Sequence, residues 1–339
     1  LPPTIPEAPI TRASITPIRL PRAVQGLVTS SRVHLKPVHS DVVVKSLENI
    51  SIVIPSYNGV RVMRECLETL LREAPECEII VADGGSTDGS KEVALELAPH
   101  FKRFRLLEIP NHGWAHATNR GFEIATSEYL VTMNSDLFIT RLALLSMRAQ
   151  LEANDKIAGV SPVLLNGDGS RQPFFGYLYW PNLTPMKEVA RVNLIYGCCA
   201  MMPRIALERV GLFDERFFFY NEEFDWCWRA SSHGYGFRLV PERVVHLEGS
   251  STPQHSNFQL EAQRGGLYLI DKHFPRFWSE ATRRMAQLLG FTGKRIDPDI
   301  ERRSAWQRIE VIAKRGPSAY LDSPFSLSGR LEPHLQPLD

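Results

Sequence analysis

Three carboxylates fall within four residues at Glu222, Glu223 and Asp225, in a stretch crowded with aromatic side chains from Phe213 to Trp228. Carboxylates packed among apolar neighbours raise one another's pKa, which suits one of them to take a proton from a reacting hydroxyl. Helical spacing puts Glu222 and Asp225 on one face and turns Glu223 away. The competing reading is an acidic first turn that complements the helix dipole. A second candidate is Asn134-Ser135-Asp136, a carboxylate beside an amide and a hydroxyl. Such an all-oxygen set suits Mg²⁺ or Mn²⁺ held jointly with a diphosphate, against the plainer reading of an Asx turn. His246 ends a β-like run, where an imidazole either ligates a metal or is simply packed.

Two further clusters follow short apolar runs. In Asp83-Gly84-Gly85-Ser86-Thr87-Asp88, Asp83 can accept from a base N–H or a ribose hydroxyl. The glycines let the backbone approach a ligand, and Asp88 suits the cap of the next helix. In Pro55-Ser56-Tyr57-Asn58, Tyr57 can stack on a base, and Asn58 can bond a ribose or cap a helix. Asn111-His112-Gly113-Trp114 and Asn119-Arg120-Gly121 come next. A glycine inside a helix costs about 1 kcal/mol relative to alanine, so Gly121 signals close packing on a ligand or a strand. Arg120 can reach a phosphate or lie on the surface.

Regular elements must position these groups. Strands are predicted at Ser51–Pro55, Glu78–Ala82, Phe104–Ile109 and Tyr129–Met133. Helical periods lie between them: Val60, Met63, Leu67, Leu70 and Leu71; then a run to about Ala98; then Trp114–Ala125. Strands alternating with helices imply βαβ units, a parallel sheet and ligands at the strands' carboxyl ends. Beyond residue 155 the pattern is mixed, with strands expected at Gly159–Leu165, Ile195–Met202, Phe237–Val240 and Val244–Leu247. A helix is expected at Glu222–Ser232 and helical structure again from His255 to about Leu289. The expected organisation is a Pro-rich arm over 1–46, a catalytic domain over 47–253 and a helical extension with a tail over 254–339.

Bulk properties narrow the field. Of the 339 residues 43% are hydrophobic and 23% charged, a globular balance. A net charge of +1 argues against nucleic-acid binding. Five scattered cysteines, an odd number, form no disulfide framework and favour a reducing, cytoplasmic setting. No apolar run reaches the length of a membrane-spanning helix. Neither a GxGxxG fingerprint nor a Walker A loop is present.

Taken in order, these segments resemble the inverting family-2 glycosyltransferases with the GT-A fold. The subset that includes bacterial rhamnosyltransferases is the most similar. The resemblance runs over roughly 50–250, from Ile52–Asn58 through Val81–Asp88, Asn111–Trp114, Asn119–Gly121, Met133–Asp136 and Gly197–Arg204 to Val210–Asp225, Arg229 and Val245-His246. It implies an α/β fold, a Rossmann-like, mostly parallel central sheet flanked by helices. It also implies transfer of a sugar from a dTDP- or UDP-sugar to a glycan or lipid-linked glycan hydroxyl. Pro55, Tyr57, Asn58, Asp83, Gly84, Asn119, Asn134 and Ser135 would line the nucleotide-sugar site. Asp136 and His246 would hold the divalent ion, Mn²⁺ or Mg²⁺. Glu223 would be the general base, with Glu222 and Asp225 beside it. Two positions depart from the family pattern: Asn134 stands where the first Asp of Asp-x-Asp is usual, and Glu223 where Asp is commoner. A nucleotidyltransferase of similar fold would want a Gly-rich, basic phosphate loop after the first strand, which Ser56–Gly59 does not supply. A catalytically dead binding module is disfavoured by the intact carboxylates.

Residues 255–316 carry 12 Lys and Arg against 7 Asp and Glu, interspersed with Phe277, Trp278, Met285, Leu288, Leu289 and Phe291. Such a mixture suits peripheral contact with an anionic bilayer. The plainer expectation is that these helices cap the catalytic domain with their apolar face. The sequence leaves the oligomeric state open.

Overall fold

The computed structural model describes residues 46–175, 181–182, 188–247 and 256–317. Apart from Ser46, the expected N-terminal arm lies outside them, as does the expected boundary at 253/254. Four parallel strands make one half of the central sheet: β1 (Ile50–Ser56), β2 (Glu78–Asp83), β3 (Arg103–Glu108) and β4 (Tyr129–Met133), in the order β3-β2-β1-β4. β1, β2 and β4 are buried along their whole length, as strands covered on both faces must be. In β1 the side chains alternate between two cores. Ile50, Ile52 and Ile54 pack with Met63, Cys66, Leu67 and Leu70 of α1 (Val60–Glu73). Val53 faces the other side, with Ala115 and Phe122 of α3 (Trp114–Ile124). α2 (Ser90–Leu97) joins β2 to β3.

The second half is mixed. β5 (Leu137–Phe138) and α4 (Arg141–Ala153) lead into β6 (Ile157–Leu165). Two short strands, β7 (Phe174–Phe175) and β8 (Pro181–Asn182), pair apart from the main sheet, and β9 (Ala190–Val192) edges it. β10 (Cys199–Pro203) inserts antiparallel between β4 and β6, and α5 (Arg204–Val210) follows. α6 (Glu222–Ser232) matches its expected span. The two strands expected between Phe237 and Leu247 are one, β11 (Gly236–His246), parallel to β6. Its register shifts between Val240 and Arg243, around Pro241, which has no N–H to give the ladder. The strand expected at Ile195–Met202 is shorter, because Cys199 N bonds Tyr196 O in a turn before β10 begins.

Three helices close the described chain: α7 (Ser256–His273), α8 (Arg276–Ile296) and α9 (Ile300–Arg315). The helical run expected to about Leu289 breaks at Phe274-Pro275, and α9 extends it beyond the expected end. Leu260, Leu267 and Tyr268 of α7 join Ile309 and Ile312 of α9 around Phe217 in a third core. No helix among the described residues is long and apolar enough to cross a membrane.

Candidate active site

The carboxyl ends of β1, β2 and β4 bring their loops to one edge of the sheet, as the βαβ reading requires. Asp136 follows β4 and is 1% exposed. β5 pairs antiparallel with the end of β11, Leu137 opposite His246 and Phe138 opposite Val245. That register sets His246 beside Asp136, with Nε2 3.4 Å from the carboxylate, and Leu247 N donates to Asp136 O. Gln172 donates through its amide nitrogen to His246 O, so its Oε1 faces His246 Nδ1 at 3.1 Å. An amide oxygen only accepts, so Nδ1 carries a proton and Nε2 is aimed at Asp136. Burial lowers the pKa of this imidazole, but the Cys198 and Asp136 side chains beside it more than offset that and hold it well above the ordinary value. A carboxylate and an oriented imidazole, both buried, would fit a divalent cation that displaces the Nε2 proton, with the remaining ligands supplied by a diphosphate and water. Among the described residues no cluster of three or more His, Cys, Asp or Glu is arranged to hold an ion.

Asn134 has a different task. Its Oδ1 accepts from the Trp114 indole N–H at 3.0 Å, and its backbone N–H bonds Cys198 O. A Cβ placed on Gly197 would stand 3.6 Å from the Trp114 ring and 3.7 Å from Glu223, so these three residues meet. Gly113 makes this possible. At φ +98°, and with a Cβ there only 2.2 Å from Phe218 O, no larger residue fits. Trp114 N then donates to that same carbonyl. The Asn-His-Gly-Trp segment thus ties the Asp136 loop to the Glu223 loop.

Glu222 is buried and Glu223 half-buried, and each has a buried Oε2 without a hydrogen-bond partner. A helix N-terminus alone would stabilise their charges. Burial wins: it pushes Glu223 up to about 7, and burial plus the Glu223 charge holds Glu222 well above the usual range. A carboxyl poised near neutrality is suited to accept a proton at working pH. The two residues before them, Tyr220 and Asn221, take left-handed φ of 69° and 73°, a strain of order 1–3 kcal/mol per residue.

α7 holds this strained loop. Glu261 accepts from Phe218 N, Asn221 donates to Ala262 O, and Arg264 donates to Arg216 O. Tyr268 and Lys272 both reach Asp214. Glu261 and Arg264 form a salt bridge at 2.5 Å with both side chains fully buried. Breaking a buried pair strands a charge and typically costs about 3–5 kcal/mol. Glu261→Gln is therefore expected to lower the unfolding midpoint in urea by that equivalent. A variant within about 0.5 kcal/mol of the parent, the range of an ordinary surface substitution, would contradict this role.

Several expected ligand-site residues are used internally. Asn119 is 2% exposed and bonds Phe213 N, Phe213 O and Glu215 Oε1, so it clamps the 213–215 turn. Arg120 pairs with Glu123 and Glu215 on the surface. Asp225 is fully buried and ion-paired with Arg229, Lys272 and His273, which hold it below its ordinary pKa against burial. It ties α6 to α7 and is no base. Asp83, also fully buried, accepts from Gly85 N, Ser86 N and Ser86 Oγ, shaping its own turn. Asn58 caps no helix: Gly59 occupies the N-cap of α1, and Asn58 Oδ1 accepts from Thr87 N. Asp88 serves two helices, accepting from Val60 N of α1 and Ser90 N of α2. Pro55 lies buried within β1, Gly84 closes on Asn111, and Ser135 packs beneath Gly59. Gly121 lies against Val53 of β1, the strand rather than a ligand. Tyr57, 40% exposed at the rim, keeps a ring free to stack. The sequence marks Trp114 within the Asn111–Trp114 segment but gives it no role, and it offers no local signal for Gln172, Glu261 or Arg264.

Residues 51–211 match the family description "Glycosyl transferase family 2". The glycosyltransferase GlyG of Streptococcus pneumoniae is 34% identical over 230 residues, covering 65% of this chain and 72% of that protein. Poly-beta-1,6-N-acetyl-D-glucosamine synthase of Staphylococcus epidermidis is 27% identical over 224 residues, covering 62% and 54%. Across eight of the curated relatives it matches, the chain spans between 26% and 72% of their own lengths. The structure of GalNAc-T7 with UDP, GalNAc and Mn²⁺ shares the fold, with a TM-score of 0.58, 15% identity and coverage of 77% of this chain and 55% of that one. A helix-flanked sheet with its loops gathered at the carboxyl edge, and a relative at 34% identity over most of its length, place the chain in glycosyltransferase family 2.

Proposed function

We propose that the chain is an inverting, divalent-metal-dependent transferase that moves a sugar from a UDP- or dTDP-sugar onto a hydroxyl of a glycan or lipid-linked glycan. The observation that carries the reading is Glu223, a carboxyl held near neutral pKa and gathered with Trp114 and Gly197 at the loop edge. In this reading Glu223 accepts the proton of the acceptor hydroxyl as its oxygen attacks the anomeric carbon. One base and no covalent nucleophile make a single displacement, with inversion. Asp136 and His246 hold the ion, which when bound neutralises charge on the leaving diphosphate. Gln172 fixes the imidazole that faces it. Tyr57 stacks on the base, while Asp83, Asn58 and Gly84 shape the loop beneath it. The UDP and Mn²⁺ bound by GalNAc-T7 support this choice of donor and ion, and the poly-N-acetylglucosamine synthase supports a polysaccharide pathway. Five free cysteines favour the cytoplasmic side.

Hydrolysis of a panel of UDP-, dTDP- and GDP-sugars, with Mn²⁺ and with EDTA, tests the reading. Release of UDP or dTDP with Mn²⁺, abolished by EDTA, is expected. Turnover unaffected by EDTA would remove the metal from the proposal, and pyrophosphate release from a nucleoside triphosphate and a sugar phosphate would favour a nucleotidyltransferase.

A further inference from the structure

α8 packs inside out. The side it turns to α9 carries its smallest residues, Ala286, Gly290 and Gly293, all buried. A Cβ on Gly290 would lie 2.8 Å from Trp306 O and Glu310 N, and one on Gly293 2.5 Å from the Trp306 ring. The large apolar residues face away: Phe277 is 63% exposed, Trp278 54%, Leu288 57% and Ile296 78%, with Met285, Leu289 and Phe291 also exposed. At about 100° per residue these seven form one broad outward face, opposite the small-residue seam. The expectation that these helices cap the domain with their apolar faces therefore holds for α7 and α9 but not for α8. The third core takes only Ala286 from this helix.

We propose that the outward face of α8 docks onto an anionic lipid bilayer, lying flat in the headgroup layer. Charge selects this occupant. α8 carries five basic residues, Arg276, Arg283, Arg284, Lys294 and Arg295, against one acidic residue, Glu280, which Arg283 and Arg284 share; Lys294 turns to Glu310 of α9, and the net charge of the remaining face is still positive. Arg284 is exposed beside Phe277 and Leu288, and the Arg295 guanidinium lies 3.6 Å over the Phe291 ring. Aromatic and aliphatic side chains rimmed by arginines fit an acyl–headgroup boundary, where the charges meet lipid phosphates. A second copy of the chain fits worse, because a two-fold contact would bring the same arginines face to face. The helix is too polar to insert across the membrane. The surface is independent of the transfer reaction, so it is tested without substrate.

Co-sedimentation of the full chain with vesicles decides it. The comparison is phosphatidylcholine alone against phosphatidylcholine with about 30% phosphatidylglycerol, at low salt and at about 0.5 M salt, where the Debye length is a few ångström. Binding to the anionic vesicles at low salt is expected, with roughly tenfold less at high salt or on neutral vesicles. Phe277→Ser with Leu288→Ser, and separately Arg284→Glu with Arg295→Glu, are each expected to cost roughly tenfold or more in partitioning while melting like the parent, since the altered side chains face solvent. Absent binding, equal binding to neutral vesicles, or binding that neither pair of substitutions weakens overturns the proposal. So does a dimer in sedimentation velocity that Leu288→Ser dissolves while anionic vesicles go unbound, which would assign the face to a second copy.

Discussion

Glu223→Gln is expected to lower kcat by about 10²- to 10⁴-fold and to leave donor affinity within a few-fold, the pattern of a lost proton acceptor. The amide keeps the size and shape of the side chain, so its packing beside Gly197, which Trp114 also borders, survives. Only basicity disappears. A kcat within threefold of the parent would exclude Glu223 as the base. The parent's pH profile supplies a second check. A base works deprotonated, so with Glu223 raised to about 7, kcat/KM should climb with pH through an acid limb near 7 and then level off. An ordinary exposed carboxylate would put that limb near 4.

Glu222 separates the two carboxylates. Burial and the Glu223 charge hold Glu222 well above the usual carboxylate range. Burial, and not a Glu222 charge, is what raises Glu223, so Glu222→Gln, which keeps the shape of the side chain, should leave the acid limb where it is. Transfer lost on Glu222→Gln but kept on Glu223→Gln would reverse the two roles.

How much of this was legible in the sequence depends on distance along the chain. β1, β2 and β4 read correctly because a strand buried on both faces is a continuous apolar run, and α6 because its acidic first turn and aromatic stripe mark both ends. The insertion of β10 antiparallel beside β4 was not legible, since a five-residue apolar strand reads the same in either direction. Asp136 and His246 were each visible as strand-end residues. Their meeting depends on the register of β5 against β11, which no local spacing encodes. Asp225 misled for the same reason: its partners Lys272 and His273 come from α7, beyond any helical period. Asn119 and Asp83 looked like ligand groups because short polar side chains at strand ends and helix faces serve turns and ligands with the same chemistry. In α8 the apolar stripe was legible, but whether it faced a bilayer or the domain stayed open. An amphipathic period gives a face but not its partner, and here the small residues own the contact.

Asp136→Asn separates the metal site from the rest of the fold. The fold loses one buried ion pair, but His246, unlike Arg264, can shed its proton when the carboxylate goes. The amide is isosteric, and the bond that ties this loop to β11, from Leu247 N, lands on the backbone oxygen. The ion should notice. With two protein groups facing it, removing the only carboxylate takes away the charge that makes the site attractive to a divalent cation. Transfer is expected to fall by at least about 100-fold, but lost activity alone would not distinguish a lost metal from a displaced loop. Thermal stability does. A ligand that binds only the folded chain stabilises it by about 2.7 kcal/mol at a hundredfold excess over its Kd. In a chain of this size that is a rise in Tm of roughly 4 °C. The parent should show this rise with Mn²⁺ and UDP together and lose it in EDTA. Asp136→Asn should melt cooperatively, close to the unliganded parent, and show no metal-dependent rise. If the variant gains the same increment from Mn²⁺ and UDP as the parent, Asp136 does not hold the ion, and the pairing with His246 at 3.4 Å is an ordinary buried ion pair.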